Sequence, residues 1–308
     1  MKLSINCLLC CENTIKKIAH IKKEDLIYLY KKTFKIDISY LINSDIELFE
    51  CENCHILFYF PPISGDETFY EALQKIENYY LKEKEEYIYA KKFIGSNHKV
   101  LEVGCGEGWF AEYINPKEYI GLELSKSAAE SALRRGIKVM NIPLEIFAKE
   151  NRERFDIVAG FQIIEHVPNP KEFFEAKILS LKKGGKLIIS VPNEDSFIKH
   201  ITNPLLNMPP HHITRWRASV FEYLARKYNL KILDIYYEKM QKVHDLLFLK
   251  TFFENLILPP RLVDISIKRR IVSRISYELA RLTSLFLKNL KPEFLPHGHS
   301  LIVVMQKV

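Results

Sequence analysis

From residue 99 onward the chain alternates short apolar runs with amphipathic stretches. Strand-length runs occur at 99–103 (KVLEV), 119–123 (YIGLE), 155–160 (FDIVAG), 186–191 (KLIISV), 230–238 (LKILDIYYE) and 300–306 (SLIVVMQ), with a shorter one at 137–140 (IKVM). Between them, 107–114, 126–135, 170–181 and 215–228 predict helices. Such alternation predicts an α/β fold around a largely parallel sheet. The segment LKKGGK (181–186) predicts a helix exit and turn, with Gly184 and Gly185 supplying positive φ. Residues 66–94 contain no Gly or Pro and space their apolar positions by three or four, which predicts one or two helices with Asp66 as N-cap and Gly95 as stop. Residues 1–65 show few long periodic segments and end on Pro-Pro-Ile-Ser-Gly, so they predict a small separate module. The expected divisions are therefore a module at 1–65, connecting helices at 66–95 and an α/β domain at 96–308 that carries an insert at 239–296.

Composition narrows the class. Of 308 residues, 47% are apolar and 27% charged, enough for a large core and inconsistent with disorder, collagen or a coiled coil. No run approaches the roughly 18 apolar residues of a membrane span, and the N-terminus lacks signal-peptide flanks. A cytoplasmic setting is expected, in which cysteines serve as ligands or packing rather than in disulfides. The net charge of +7 is local: residues 239–291 hold 11 Lys/Arg against four acids. Within them, Ile271, Ile275, Leu279, Leu282 and Phe286 share one helical face, with Arg269, Arg270, Arg274, Arg281 and Lys288 largely elsewhere. The plain reading is a helical lid or dimer surface with a solvated basic face. Of the anionic partners such a helix meets, a membrane surface ranks ahead of nucleic acid.

The densest chemistry lies at 100–110, VLEVGCGEGWF. Gly104, Gly106 and Gly108 let a ligand lie against bare backbone where a Cβ would collide. The spacing is G-x-G-x-G with Trp109 where a dinucleotide loop has its third glycine, and no G-K-[ST] follows, so neither a diphosphate loop nor a P-loop is indicated. Glu123 closes the next strand, placed to accept hydrogen bonds from ribose hydroxyls. The pocket suits a nucleoside. Cys105, inside the loop, reads as a small packing residue.

Two further Cys-x-x-Cys pairs, Cys7/Cys10 and Cys51/Cys54, have the arrangement of a four-thiolate zinc site, with Cys11 a spare. With no open coordination position, such a metal is structural. Two histidine groups offer proton acceptors: Glu165-His166 after the fourth strand, and the run Pro209-Pro210-His211-His212, with Thr214 a cap for the following helix and Asn193 a further polar candidate.

In order, VLEVGCGEG, YIGLELS, FDIVAGFQIIEHVPNPKEFF and LKKGGKLIISVPNE resemble the motifs of class I S-adenosylmethionine-dependent methyltransferases, over about 99–238 and again at GHSLIVVMQKV. The resemblance implies a Rossmann-like seven-stranded sheet with a reversed last strand. It puts the glycine loop under the methionine part of the cofactor and Glu123 at the ribose, with Glu102 and Leu124 as further cofactor-binding residues. Asn141 to Glu145, Leu144 included, would edge the adenine, and Phe161 and Gln162 would line the methyl-transfer site. The front end, with ELFECENCHILFYFPP, resembles a zinc-ribbon module on a subset of these enzymes from sugar-nucleotide, cell-surface polysaccharide or natural-product pathways. In that subset the helix with Tyr79, Tyr80 and Glu86 folds over the cofactor. His211 or His212 is the expected base, with His166 competing. The implied function is O- or C-methylation of a sugar or glycan-type acceptor, at the inner membrane face if the basic insert docks there. RNA or protein methylation, and a non-catalytic zinc-ribbon binding protein, are the alternatives.

Overall fold

A computed structural model describes residues 5–76, 82–287 and 296–308. The elements in chain order are β1 (Ile15–Ile21), α1 (Lys23–Phe34), β2 (Ile46–Cys51), β3 (Leu57–Phe60), α2 (Glu67–Gln74), α3 (Glu85–Lys91), β4 (Lys99–Val103), β5 (Glu118–Leu122), α4 (Lys126–Arg134), β6 (Val139–Met140), α5 (Leu144–Glu150), β7 (Phe155–Phe161), α6 (Pro170–Ser180), β8 (Leu181–Pro192), β9 (Thr214–Arg215), α7 (Ala218–Lys227), β10 (Leu230–Lys239), α8 (Asp245–Ile257), α9 (Ile267–Leu287) and β11 (His297–Lys307).

Seven strands form the main sheet in the order β10-β11-β8-β7-β4-β5-β6. Strands β6, β5, β4, β7 and β8 are parallel, while β11 runs antiparallel to both β8 and β10. The reversed strand expected from the resemblance is therefore present. Central strands are apolar on both faces, as a sheet covered on both sides requires; Leu187, Ile188 and Ile189 pair in register with Met305, Val304 and Val303. Local caps set the helices. Ser125 Oγ accepts from Ala128 N, Asn169 Oδ1 accepts from Glu172 N ahead of Pro170, and Asp66 accepts from Phe69 N as expected.

Several boundaries differ from the sequence reading for physical reasons. The 107–114 helix shrinks to one tight turn at Trp109–Tyr113, because all three loop glycines hold positive φ. LKKGGK lies inside β8: Leu181 pairs with Phe155, and the register shifts before Lys186 meets Ile157, leaving the glycines in a bulge. Thr214 caps no helix; it lies in β9, and its hydroxyl accepts from Trp216 Nε1. The periodicity does not single out α1, inside the N-terminal module, or the seven-residue α5.

The N-terminal residues build a second, four-stranded sheet in the order β1-β2-β3-β9. Its fourth strand comes from beyond residue 200. Tyr59 N donates to Ile213 O, Gly65 N to Pro210 O, Tyr59 Oη to Asn207 O and Tyr30 Oη to Leu205 O. The segment 205–215 is thus stitched to the N-terminal module, with a buried Arg215–Glu194 ion pair at 2.7 Å tying it to the main sheet.

Helices α8 and α9 fill the insert and pack on one another. The buried face of α9 carries Arg269, Val272, Ser276 and Ala280. Its apolar stripe faces outward, with Ile271 55% and Ile275 51% exposed. Arg269 departs from the expected solvated face: it is only 3% exposed, held by Asp264 and the Pro259 carbonyl.

Candidate active site

The nucleoside half stands where β4 ends. Gly104, Gly106 and Gly108 have φ of +73, +54 and +77, and a Cβ on Gly104 would come within 2.8 Å of Ile163. This bare turn is closed by Glu123, which accepts from Gly106 N and Ser125 N at 2.8 Å each. Burial pushes the Glu123 carboxyl up, and these backbone donors oppose it. Two N–H bonds leave further lone pairs on the carboxylate for a diol. Asn141 Nδ2 donates to the carbonyls of Glu123 and Leu124, fixing the turn beyond the strand. Leu124 is 63% exposed, an apolar side chain open to a ring, whereas Leu144 is buried behind it. The cradle, the acid and the open Leu124 fit a nucleoside carrying a non-phosphate tail.

Beneath the loop lies a buried set of charges. Glu102 bonds to Tyr119 Oη, and burial pushes its carboxyl up to about 8. Lys177 Nζ is buried against Gly160, where a Cβ would lie 2.4 Å away, and its pKa is pushed down to about 7. Neither carboxylate oxygen of buried Glu165 accepts a hydrogen bond among the described residues, though Oε1 lies 3.9 Å from His166 Nε2, and burial raises the carboxyl to about 8. Such groups sit at sites more often than at random. Lys177 escaped the sequence reading because nothing local distinguishes it from the solvated lysines of a helix.

Over the loop, α3 lays Tyr87 against Phe110 and Phe161, at ring separations of 5.3 and 5.0 Å. Phe161 is therefore buried in an aromatic cluster. Gln162, at φ +55, extends its amide to Glu86 Oε1 and Ser300 Oγ, 3.2 Å each. Glu86 lies in α3, which begins at Glu85; Tyr79 and Tyr80 lie outside the described residues. Cys105 packs under Gly121, in keeping with its reading as a packing residue.

The fold brings all three proposed base histidines together. His166 rings lie 4.6 Å from both His211 and His212, which stack on each other at 4.5 Å. Each Nδ1 faces an oxygen: His211 O at 2.7 Å for His166, Leu206 O at 2.8 Å for His211, and Asn207 Oδ1 at 3.0 Å for His212. A carbonyl acceptor requires the proton on Nδ1, so in the neutral ring Nε2 carries the lone pair. Burial holds the rings neutral, with His166 pushed down to about 4, His211 to about 3 and His212 well below its usual value. Tyr70 Oη, 3.3 Å from His166 Nδ1, is a neighbour that sequence spacing could not have revealed. Asn193 is buried near this segment with its Nδ2 unpartnered.

The four paired cysteines also converge. Cys7 and Cys54 sulfurs are 3.5 Å apart, Cys10 and Cys51 sulfurs 3.4 Å, and all four lie within 4.8 Å of one another. Tetrahedral Zn–S bonds of about 2.3 Å put sulfurs about 3.8 Å apart, so the set fits such an ion. Amides of Leu9 and Cys54 approach Cys7 and Cys51 sulfurs, respectively, as knuckle turns do. Cys11 is exposed and outside the cluster.

Comparison with known proteins gives consistent results. A family model described as a methyltransferase domain matches residues 73–235. An uncharacterized protein of Methanocaldococcus jannaschii is 40% identical over 98 residues, 32% of this chain and 46% of that one. A ubiquinone biosynthesis O-methyltransferase of Idiomarina loihiensis is 35% identical over 105 residues, 32% of this chain and 43% of its own length. The matches thus span less than half of either relative. Among solved structures, a SAM-dependent methyltransferase from Archaeoglobus fulgidus aligns at TM-score 0.45 and 15% identity, over 79% of this chain and 95% of that one.

Proposed function

Since the chain belongs to the methyltransferase-domain family, we propose that it transfers a methyl group from S-adenosylmethionine to a sugar, sugar-nucleotide or glycan-type acceptor. The observation that carries the acceptor chemistry is the histidine cluster, whose Nδ1 atoms all face oxygens beside the carboxyl end of β7. Bound there, the cofactor supplies an electrophilic methyl. The glycine loop would hold its amino-acid end, Glu123 its ribose and Leu124 its base, with Glu102 below and Gln162 at the mouth. An acceptor hydroxyl must shed a proton as its oxygen attacks, and a neutral imidazole with a bare Nε2 takes it. His212 is the favoured base because it also lines a large cavity next to the cluster. The ubiquinone O-methyltransferase relatives support oxygen over carbon as the atom methylated.

On the same reading, Cys7, Cys10, Cys51 and Cys54 hold a structural zinc ion. The outward stripe of Ile271 and Ile275 on this basic helix supports seating of α9 on an anionic lipid surface.

Incubation of the purified chain with tritiated S-adenosylmethionine and a source-cell extract tests the function. Label in a sugar or lipid-glycan fraction, lost with Glu123→Ala, is expected. Label confined to RNA or protein would overturn the acceptor and give the basic insert a docking role.

A further inference from the structure

A cavity of about 930 Å³ opens between α1, the 197–207 segment and the α8–α9 insert. His212 and His299 line it. His299 Nδ1 lies 3.3 Å from Ser300 Oγ, which accepts from Gln162 Nε2, so a short polar chain connects the cavity lining to the carboxyl end of β7. The opposite wall is cationic. Lys32, Lys250, Arg269, Arg270 and Arg274 line it against only two acids, Glu254 and Asp264. Both acids are already engaged, Glu254 with Lys250 at 2.7 Å and Asp264 with Arg269 at 3.1 Å. Arg270 and Arg274 pair with no acid among the described residues.

Two buried donors of the lining, one on Arg269 and one on Asn207 beside His212, lack acceptors among the described residues. Arg269 spends its Nε and Nη2 on Asp264 and the Pro259 carbonyl, but its Nη1 has no partner. Asn207 directs Oδ1 to His212, and its Nδ2 has no partner. A buried donor without an acceptor costs free energy in the empty protein, and a ligand that supplies the acceptor recovers it. Fixed donors backed by surplus positive charge select a compact group with several anionic oxygens.

We propose that this cavity is the acceptor site and that its cationic wall binds a phosphate or pyrophosphate carried by the acceptor, with Arg269 and Asn207 as fixed donors and Arg270, Arg274 and Lys32 around them. The proposal rests on the methyl-transfer reading above and names the acceptor class as a phosphorylated one. Asn207 would join the two ends, since its Oδ1 already holds His212, so the acceptor's hydroxyl would lie close to its phosphate, between His212 and the insert. The insert thereby gains a role in acceptor binding, since three of its arginines line the site.

Binding of inorganic pyrophosphate to the full chain, followed by calorimetry, tests it, with S-adenosylhomocysteine titrated into the same samples. Each of Arg270→Gln and Arg274→Gln should weaken pyrophosphate about tenfold and leave S-adenosylhomocysteine binding unchanged. Asn207→Asp, which turns a donor into an anion, should abolish pyrophosphate binding. Arg269→Lys serves as a second probe of the fixed fork, with folding followed by circular dichroism. Uridine diphosphate glucose and farnesyl pyrophosphate distinguish a soluble from a lipid-borne phosphate. Displacement of pyrophosphate by either supports the subsite. Displacement by neither overturns it, as does pyrophosphate binding that the arginine and asparagine variants leave intact. Failure to bind S-adenosylhomocysteine would instead sink the methyl-transfer reading, whatever pyrophosphate does.

Discussion

On the proposed reading, the nucleoside half and the acceptor half of this site are built in opposite ways. In the first, everything from Val100 to Glu123 arrives in one β-loop-β stretch, and the key bond joins Gly106 N to Glu123 only 17 residues on. In the second, His166 comes from the loop after β7, His211 and His212 from a segment held by the N-terminal sheet, and Tyr70 from α2. The first half is thus a property of the main sheet. The second depends on a module that shares no strand with that sheet. The four-cysteine cluster is linked to the histidines through the sheet: β2 and β3 flank it, and β3 pairs with β9 directly after them.

The largest expected effect comes from separating the halves. Chelation, or Cys51→Ser with Cys54→Ser, should release the N-terminal sheet and lower Tm on the order of 10 °C. Methyl transfer should vanish while S-adenosylhomocysteine still binds, as calorimetry and scanning fluorimetry would show; loss of both activities together would mean the halves are one unit.

Within the acceptor half, His212→Gln keeps a hydrogen-bonding side chain but removes the base. Turnover should fall by about 10² to 10⁴, with cofactor affinity unchanged. A rise in KM with turnover unchanged would deny the histidine that role. The converse substitution, Glu123→Ala, removes the acceptor of two backbone N–H groups and a ribose partner. It should weaken S-adenosylhomocysteine by about 10- to 100-fold and leave the histidine loop folded.

The pH response should also separate the halves. His166 faces His211, His212, Tyr70 and the carboxyl of Glu165, and burial holds its pKa near 4 against about 6.5 in the unfolded chain. Between these values the unfolded chain binds more protons. The stability contributed by the neutral ring is therefore complete above about pH 6.5 and is lost as pH falls toward 4. His211 and His212 act in the same sense, and Glu102 and Glu165, raised to about 8, oppose it. Urea denaturation at pH 7, 6 and 5 of the wild type and of His166→Gln should therefore differ by this contribution, the variant losing less stability as pH falls. The smallest effect belongs to the outward stripe: Ile271→Glu with Ile275→Glu should change folding stability by no more than about 0.5 kcal/mol yet abolish sedimentation with anionic vesicles.

Local rules made much of the molecule legible. Runs such as KLIISV and SLIVVMQ are strands because their apolar content matches a sheet buried on both faces, and Asp66 caps α2 because an acceptor side chain is needed where backbone amides lack one. The glycine loop, Glu123 and the cysteine pairs were visible because each function lies within a few residues or a repeated spacing. The α1 and α5 helices were not, since short segments take their stability from tertiary contacts more than from pattern. Arg269 shows the limit from the other side. Composition counts it with the solvated arginines of a basic helix, yet Asp264, the Pro259 carbonyl and the packing of α9 bury it in a cavity wall. By itself the sequence determined the strand order's raw material, the nucleoside cradle and the four thiols, because those depend on neighbours along the chain. Only the tertiary structure decided which histidines meet, which lysine is buried and where the insert's positive charge is directed, because burial and proximity across more than a hundred residues are set by packing.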